Sequence, residues 1–308
     1  MKRMASLLLL GAASIQAQET LFTFRNEFWL NLHHFLYVLG RARNGVPDAR
    51  REAVRHAPED VEGMEALDRA QLLEWDAAVT YYQKTLSTKD AVFDNAMVDV
   101  TRPLATGRLD VPAELRRVLE RAAPIYRKVW WPRHEQSNRD RIRELDALVR
   151  AHGRPIAAAV AKAWREKWPA AAIPVNVSAY SNWAGAYSTD GIIVMGSRNR
   201  EASGTLGLEI LFHETMHIWD DDFQKRIAQA ATEADAPMPR SLSHSLIFFT
   251  AGYAVAAEIP GHTPYADANG VWGRGLFSRD RIQTEWVPYL RGQRSMEEAL
   301  RKLVNTSP

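Results

Sequence analysis

Residues 206–222 read LGLEILFHETMHIWDDD, and the segment turns on His213-Glu214-Thr215-Met216-His217. The apolar residues ahead of it, with no proline among 205–212, predict a buried helix. Histidines four apart on a helix project from one face, one turn above the other. That spacing lets both imidazoles reach a single tetrahedral Zn²⁺ at about 2.0–2.1 Å. Glu214 stands beside such an ion rather than on it, where a carboxylate takes a proton from water. Residues 218–222 are read as a continuation of the helix. Asp220, three past His217, either accepts a hydrogen bond from a ligand imidazole or is a polar residue at the helix edge. The three aspartates do not match the alternating ligand spacing of a calcium loop.

This H-E-x-x-H run resembles the active-site helix of the zincin-type metallopeptidases. It departs from the metzincin continuation, because Asp220 and Phe223 stand where that branch has its glycine and third histidine. The resemblance therefore implies a gluzincin-like site, with Zn²⁺ as cofactor, a third ligand from a later helix, and a peptide or protein as substrate.

The later helix is predicted over 242–258, with Ser241 as candidate N-cap. His244 lies near its start and Glu258 near its end, about 21 Å apart along the axis, so only one of them reaches the ion. Leu242, Leu246, Ile247 and Phe248 would bury His244 beside the motif helix, where a histidine needs a partner. His244 is the preferred third ligand. Glu258, the residue type the gluzincins use, is the alternative. In the glycine- and aromatic-rich loop 260–277, His262 and Tyr265 are candidate catalytic donors to an oxyanion, and Arg274 is a candidate carboxylate binder. Simple turn chemistry accounts for the same residues.

Ahead of the motif the pattern changes from helical to alternating. Residues 173–180 and 192–195 are β-branched and apolar, with the turn signal Thr189-Asp190-Gly191 between them. They predict a small antiparallel sheet next to the motif helix. On the zincin resemblance, 192–197 is the candidate edge that would pair with an extended substrate; otherwise it is an ordinary strand covering the helix. Asn176-Val177-Ser178 is a weak glycosylation match.

Residues 18–168 read as helical, with segments at 21–39, 66–86, 112–131, 133–151 and 155–168. Pro132 is expected to break the third of these, and Leu72, Leu73, Trp75 and Tyr81 to supply core. His33-His34 point about 100° apart on a helix, a poor bidentate pair; with Trp130, Trp131 and His134 they read either as core or cleft wall or as a histidine that caps the cleft and bonds substrate. Two closing helices follow at 279–290 and 295–304, the second with Ser295 and Glu298 as a capping box.

The chain has 308 residues, 46% hydrophobic and 25% charged, values of an ordinary globular protein. Its formal charge of +2 matches the contribution of Lys2 and Arg3; the rest is balanced, which offers nothing for nucleic acid or an anionic membrane. Residues 1–17, with those two cations and a short apolar run, read as a signal peptide, giving a secreted or periplasmic protein without stable membrane insertion. There is no cysteine, hence no disulfide and no thiolate ligand.

The expected fold is α+β, predominantly α-helical, with a helical region over 18–168 and a zincin-like catalytic region over 169–308; these two form either separate units or one. The expected function is zinc-dependent hydrolysis, most simply of a peptide, with Glu214 as base. The other classes are a non-catalytic zinc-binding protein and a metal-free helical binding protein of the cell envelope.

Overall fold

Phe22–Arg25 is a strand, β1, where the apolar spacing of 21–39 predicts helix; helix α1 starts only at Phe28 and runs to Arg43. Tertiary pairing overrides local pattern here: Phe22 to Arg25 lie in parallel register with Ile173 to Asn176. The structure, a computed structural model, describes residues 20–44, 60, 63, 65–181 and 185–305. The expected signal peptide lies outside them.

The protein is α+β and predominantly helical. After α1 come α2 (Arg69–Lys84), α3 (Asn95–Leu104), α4 (Ala113–Val129) and α5 (Trp131–Trp164). Asp68 and Gln71 close a reciprocal capping box at the start of α2. The inward stripe of α2 is Trp75, Ala78, Val79 and Tyr82, which leaves Leu72 and Leu73 48% and 65% exposed rather than in the core. Helix α5 is one element of 34 residues, not two. Pro132 sits in its first turn, where no N–H is needed. Pro155 costs the interior one hydrogen bond, offset by the burial of Ile156, Ala157, Val160 and Trp164 around it.

The sheet holds β1, β2 (Ile173–Ser178), β3 (Ala186–Thr189) and β4 (Ile192–Gly196) in the order β1-β2-β4-β3. It is mixed. Only the β3–β4 hairpin is antiparallel, while β1 with β2 and β2 with β4 are parallel. The expected wholly antiparallel sheet is corrected on this point, because pairing across the rest of the sheet is non-local. The hairpin turn is Asp190-Gly191, both at positive φ (48° and 73°), the conformation a two-residue turn requires. Strand β4, expected as the edge, is internal; β3 is the edge on that side.

Both faces of the sheet are covered, which explains why every residue of β4 is buried. Phe22, Ile173, Val175, Ile193 and Met195 face a core shared with the second half of α5, with α6 (Gly204–Met216), α7 (Asp220–Glu233) and α8 (Leu242–Glu258), and with α10 (Arg279–Leu290) and α11 (Met296–Val304). The short helix α9 (Tyr265–Ala268) lies between α8 and α10. Tyr187, Ile192 and Val194 face a second core with α1 to α4. Thus β1 and α5, both before residue 168, contribute to the core around the motif helix.

Candidate metal centre

Helix α6 is buried from Gly207 to Met216, and α8 is nearly as enclosed between Leu242 and Val255. Helices apolar on all sides belong inside. They approach closely where Gly252 faces Glu209 and Pro264; a Cβ there would lie 2.7 Å from the proline. This crossing brings the start of α8 to the end of α6. The α-helix does not continue past the motif. It tightens into a 3₁₀ turn at His217–Trp219, and α7 begins afresh at Asp220. Asp220, Asp221 and Asp222 therefore occupy a first turn, where carboxylates meet the positive end of the helix.

His213, His217 and His244 converge. One ring nitrogen from each lies within 4.8 Å of the others. The ring centroids form a near-equilateral triangle of 5.1, 5.1 and 5.2 Å. The Nε2 atoms of His213 and His244 are 3.2 Å apart. Two ligands of a tetrahedral ion at a Zn–N distance of about 2.05 Å are separated by about 3.3 Å, so the spacing suits a shared Zn²⁺. The three grade from buried His213 through half-buried His217 to exposed His244, so the cluster opens to solvent on the α8 side. Phe248, one turn after His244, lies with its ring centroid 4.0 Å from that of His213 and 4.9 Å from that of His244, walling the inner side.

The electrostatics favour neutral rings at two of the three positions. Burial, with the other two histidines, holds His213 well below the ordinary histidine value. Desolvation and His217 push His244 down to about 4. Burial opposes charge on His217 too, but Asp220 and Glu214 outweigh it and raise its pKa. Asp220 Oδ2 stands 3.7 Å from His217 Nδ1 and accepts from Gln224 at 2.9 Å, while its Oδ1 accepts from Ser243. Asp220 is thus an ion-pair neighbour of the His217 ring, just beyond hydrogen-bond reach and itself held by Gln224 and Ser243. His213 Nδ1 is buried with no partner among the described residues.

Glu214 is 7% exposed. Its Oε2 accepts a hydrogen bond from Ser188 Oγ of β3 at 3.0 Å. Burial raises its pKa, against the pull of His217 and Ser188.

The remaining candidates lie elsewhere. Glu258 is at the far end of α8, 3.1 Å from His152 of α5, so the structure brings His244 and not Glu258 to the motif histidines. His262 has both ring nitrogens engaged, Nε2 with Glu209 Oε2 at 2.6 Å and Nδ1 with Thr205 at 2.9 Å. Its place is in a buried pair on α6 rather than facing a substrate. Tyr265 stacks on Phe248 at 6.3 Å, one ring removed from the histidines, and its backbone N–H donates to Glu209. Burial raises its phenol to about 12. Arg274 donates to the carbonyl of Asn269. His33 and His34 are fully buried and bond to Tyr82, Tyr187 and Ser178; His134 bonds to Tyr126 and Asp60. Asn176 is buried in β2, closed to glycosylation in the folded chain.

Ser188 and Ser243 were missed by sequence reasoning, whereas Phe248 was expected to pack on His244 and does so. Ser243 adjoins His244 on its helix and was within reach of a turn-by-turn reading. Ser188 had no local signal. Comparison with protein-family models, with curated proteins and with solved structures finds no match for this chain.

Proposed function

We propose that the protein is a zinc-dependent hydrolase of the H-E-x-x-H type acting on amide bonds, most simply those of a peptide. The observation that carries the reading is the convergence of three histidine nitrogens within 4.8 Å at one edge of a cluster that also holds the buried carboxylate of Glu214. His213, His217 and His244 would hold the ion, leaving a fourth position on the exposed side. Zinc bound by three protein ligands lowers the pKa of a coordinated water to about 7 and polarises a carbonyl. Glu214 would take the proton from the attacking water and deliver it to the leaving amine. Asp220 would hold the ring of His217, and Phe248 would keep water from the inner side. The edge strand β3 has no described strand on its outer side and carries Ser188 against Glu214, so an extended substrate paired there would lie along the base.

Glu214→Gln tests the reading. The variant is expected to bind zinc stoichiometrically and to lose cleavage of a mixed peptide library. Retained cleavage overturns the assignment of the base. Stoichiometric zinc without cleavage by the unaltered protein leaves a metal-binding protein instead. No helix among the described residues is long and apolar enough to cross a membrane.

A further inference from the structure

We propose that Ser188 is the positioning residue for Glu214, fixing one carboxylate oxygen so that the other is left for proton transfer. Its use in turnover rests on the hydrolase reading; the hold itself rests on geometry alone. Ser188 Oγ donates to Glu214 Oε2 at 3.0 Å, and no other hydrogen bond to that carboxylate is present among the described residues. The last torsion of a glutamate is broad and loosely defined when nothing holds it. A single hydroxyl on a rigid support converts it into one orientation, the preorganisation a base requires.

The support is unusually firm for a four-residue edge strand. Successive side chains of a strand point to opposite faces, and β3 is anchored on both. Ser188 reaches α6 on one face. On the other, Tyr187 OH lies 2.7 Å from Nε2 of His34, a buried residue of α1, and His34 Nδ1 lies 3.3 Å from Ser178 Oγ of β2. At the hairpin tip Asp190 pairs with Arg102 of α3. The helices of the second core thereby set the position of a strand whose next side chain holds the base of the first. This gives the His34–Tyr187 contact a role beyond filling the core.

The test compares Ser188→Ala and Ser188→Thr with the unaltered protein and with Glu214→Gln, all zinc-loaded. Threonine keeps the hydroxyl and suits a strand. In crystal structures, Glu214 is expected in one position in the unaltered protein and in S188T, and in more than one in S188A. With fluorescein-labelled casein, kcat of S188A is expected to fall about tenfold, the scale of losing an outer partner. KM should stay within about twofold on the same reasoning, with zinc content unchanged and S188T close to the unaltered protein. A Glu214 that keeps its single position in S188A overturns the hold. A kcat equal to that of the unaltered protein, or a loss that S188T reproduces, overturns its use. If the unaltered protein cleaves casein no faster than E214Q, the hydrolase reading fails, and the crystal comparison still decides whether Ser188 orients Glu214.

Discussion

The Nε2 atoms of His213 and His244 lie 3.2 Å apart although 31 residues separate them in the chain. Two imidazoles brought nitrogen to nitrogen share either a proton or an ion. The ion requires the third nitrogen, that of His217, within reach of both, and it is. The protein is expected to bind one zinc per chain. His244→Ala should weaken zinc binding by at least about a hundredfold, more than an outer partner is worth, while Glu258→Ala should leave it unchanged. Competition against a chromophoric chelator measures both. Equal effects of the two substitutions would remove His244 as ligand.

Asp220 bears on the same ring from behind. Asp220→Asn should lower zinc affinity by about 10–100-fold without abolishing it. Ser243→Ala, which frees one oxygen of that carboxylate, should act in the same direction and less. A metal titration of the two variants checks the order, and an inert Asp220→Asn would leave that residue only its place as an acidic residue in the first turn of α7.

Glu209 and His262 are expected to matter for stability and not for metal. Their side chains are 0% and 1% exposed, and Glu209 also satisfies the N–H of Tyr265. Glu209→Ala strands both partners in a buried site, at about 1–3 kcal/mol for each polar group left unsatisfied. Urea unfolding with chelator present measures the loss. Zinc stoichiometry of the folded fraction should be unaltered; a variant of full stability would show that the pair contributes nothing net.

Acid should destabilise the protein before its carboxylates titrate. His33 is fully buried, and burial pushes its pKa down to about 3 from 6.5. Between those values the unfolded chain binds a proton that the folded chain does not, so stability falls as pH is lowered from about 6.5, by up to about 1.4 kcal/mol per pH unit for each such group. His34 and His134 are shifted down too, chiefly by burial, and act in the same direction. Asp60 is depressed despite its burial, held by His134, Tyr180 and Arg198; its contribution is present above the ordinary aspartate value and lost only below it. Urea midpoints of chelated protein at pH 7, 6 and 5 should decline, and His33→Gln should lessen the slope. A flat profile would contradict the neutral burial of His33.

What the chain disclosed in advance follows from the range of each interaction. The motif histidines, the bounds of α8 and the Asp190-Gly191 turn depend on neighbours within a few residues, so spacing alone reveals them. His244 could be named from its apolar neighbours Leu242, Leu246 and Ile247 on the helix after the motif, although the burial expected of it does not hold: it is the exposed member of the three. Strand β1 could not, since Phe22–Arg25 gains its conformation from Ile173 and its neighbours, and the pattern downstream of it is helical. The break after Met216 escaped for a related reason: His217, Ile218 and Trp219 are compatible with continued helix, and the three aspartates that begin α7 read equally well as its middle. Ser188 stands for the features that only tertiary placement creates, a hydroxyl 26 residues from the carboxylate it meets.

The parallel match of β1 to β2 also bears on how the molecule comes into being. A chain emerging amino end first presents Phe22–Arg25 long before Ile173–Asn176 exists to receive it. Closing so wide a loop is entropically unfavourable until the partner strand is in place. Strand β1 therefore waits for its partner across the five helices α1 to α5, whereas the segments bearing the three histidines follow one another within a short span and close a much smaller loop.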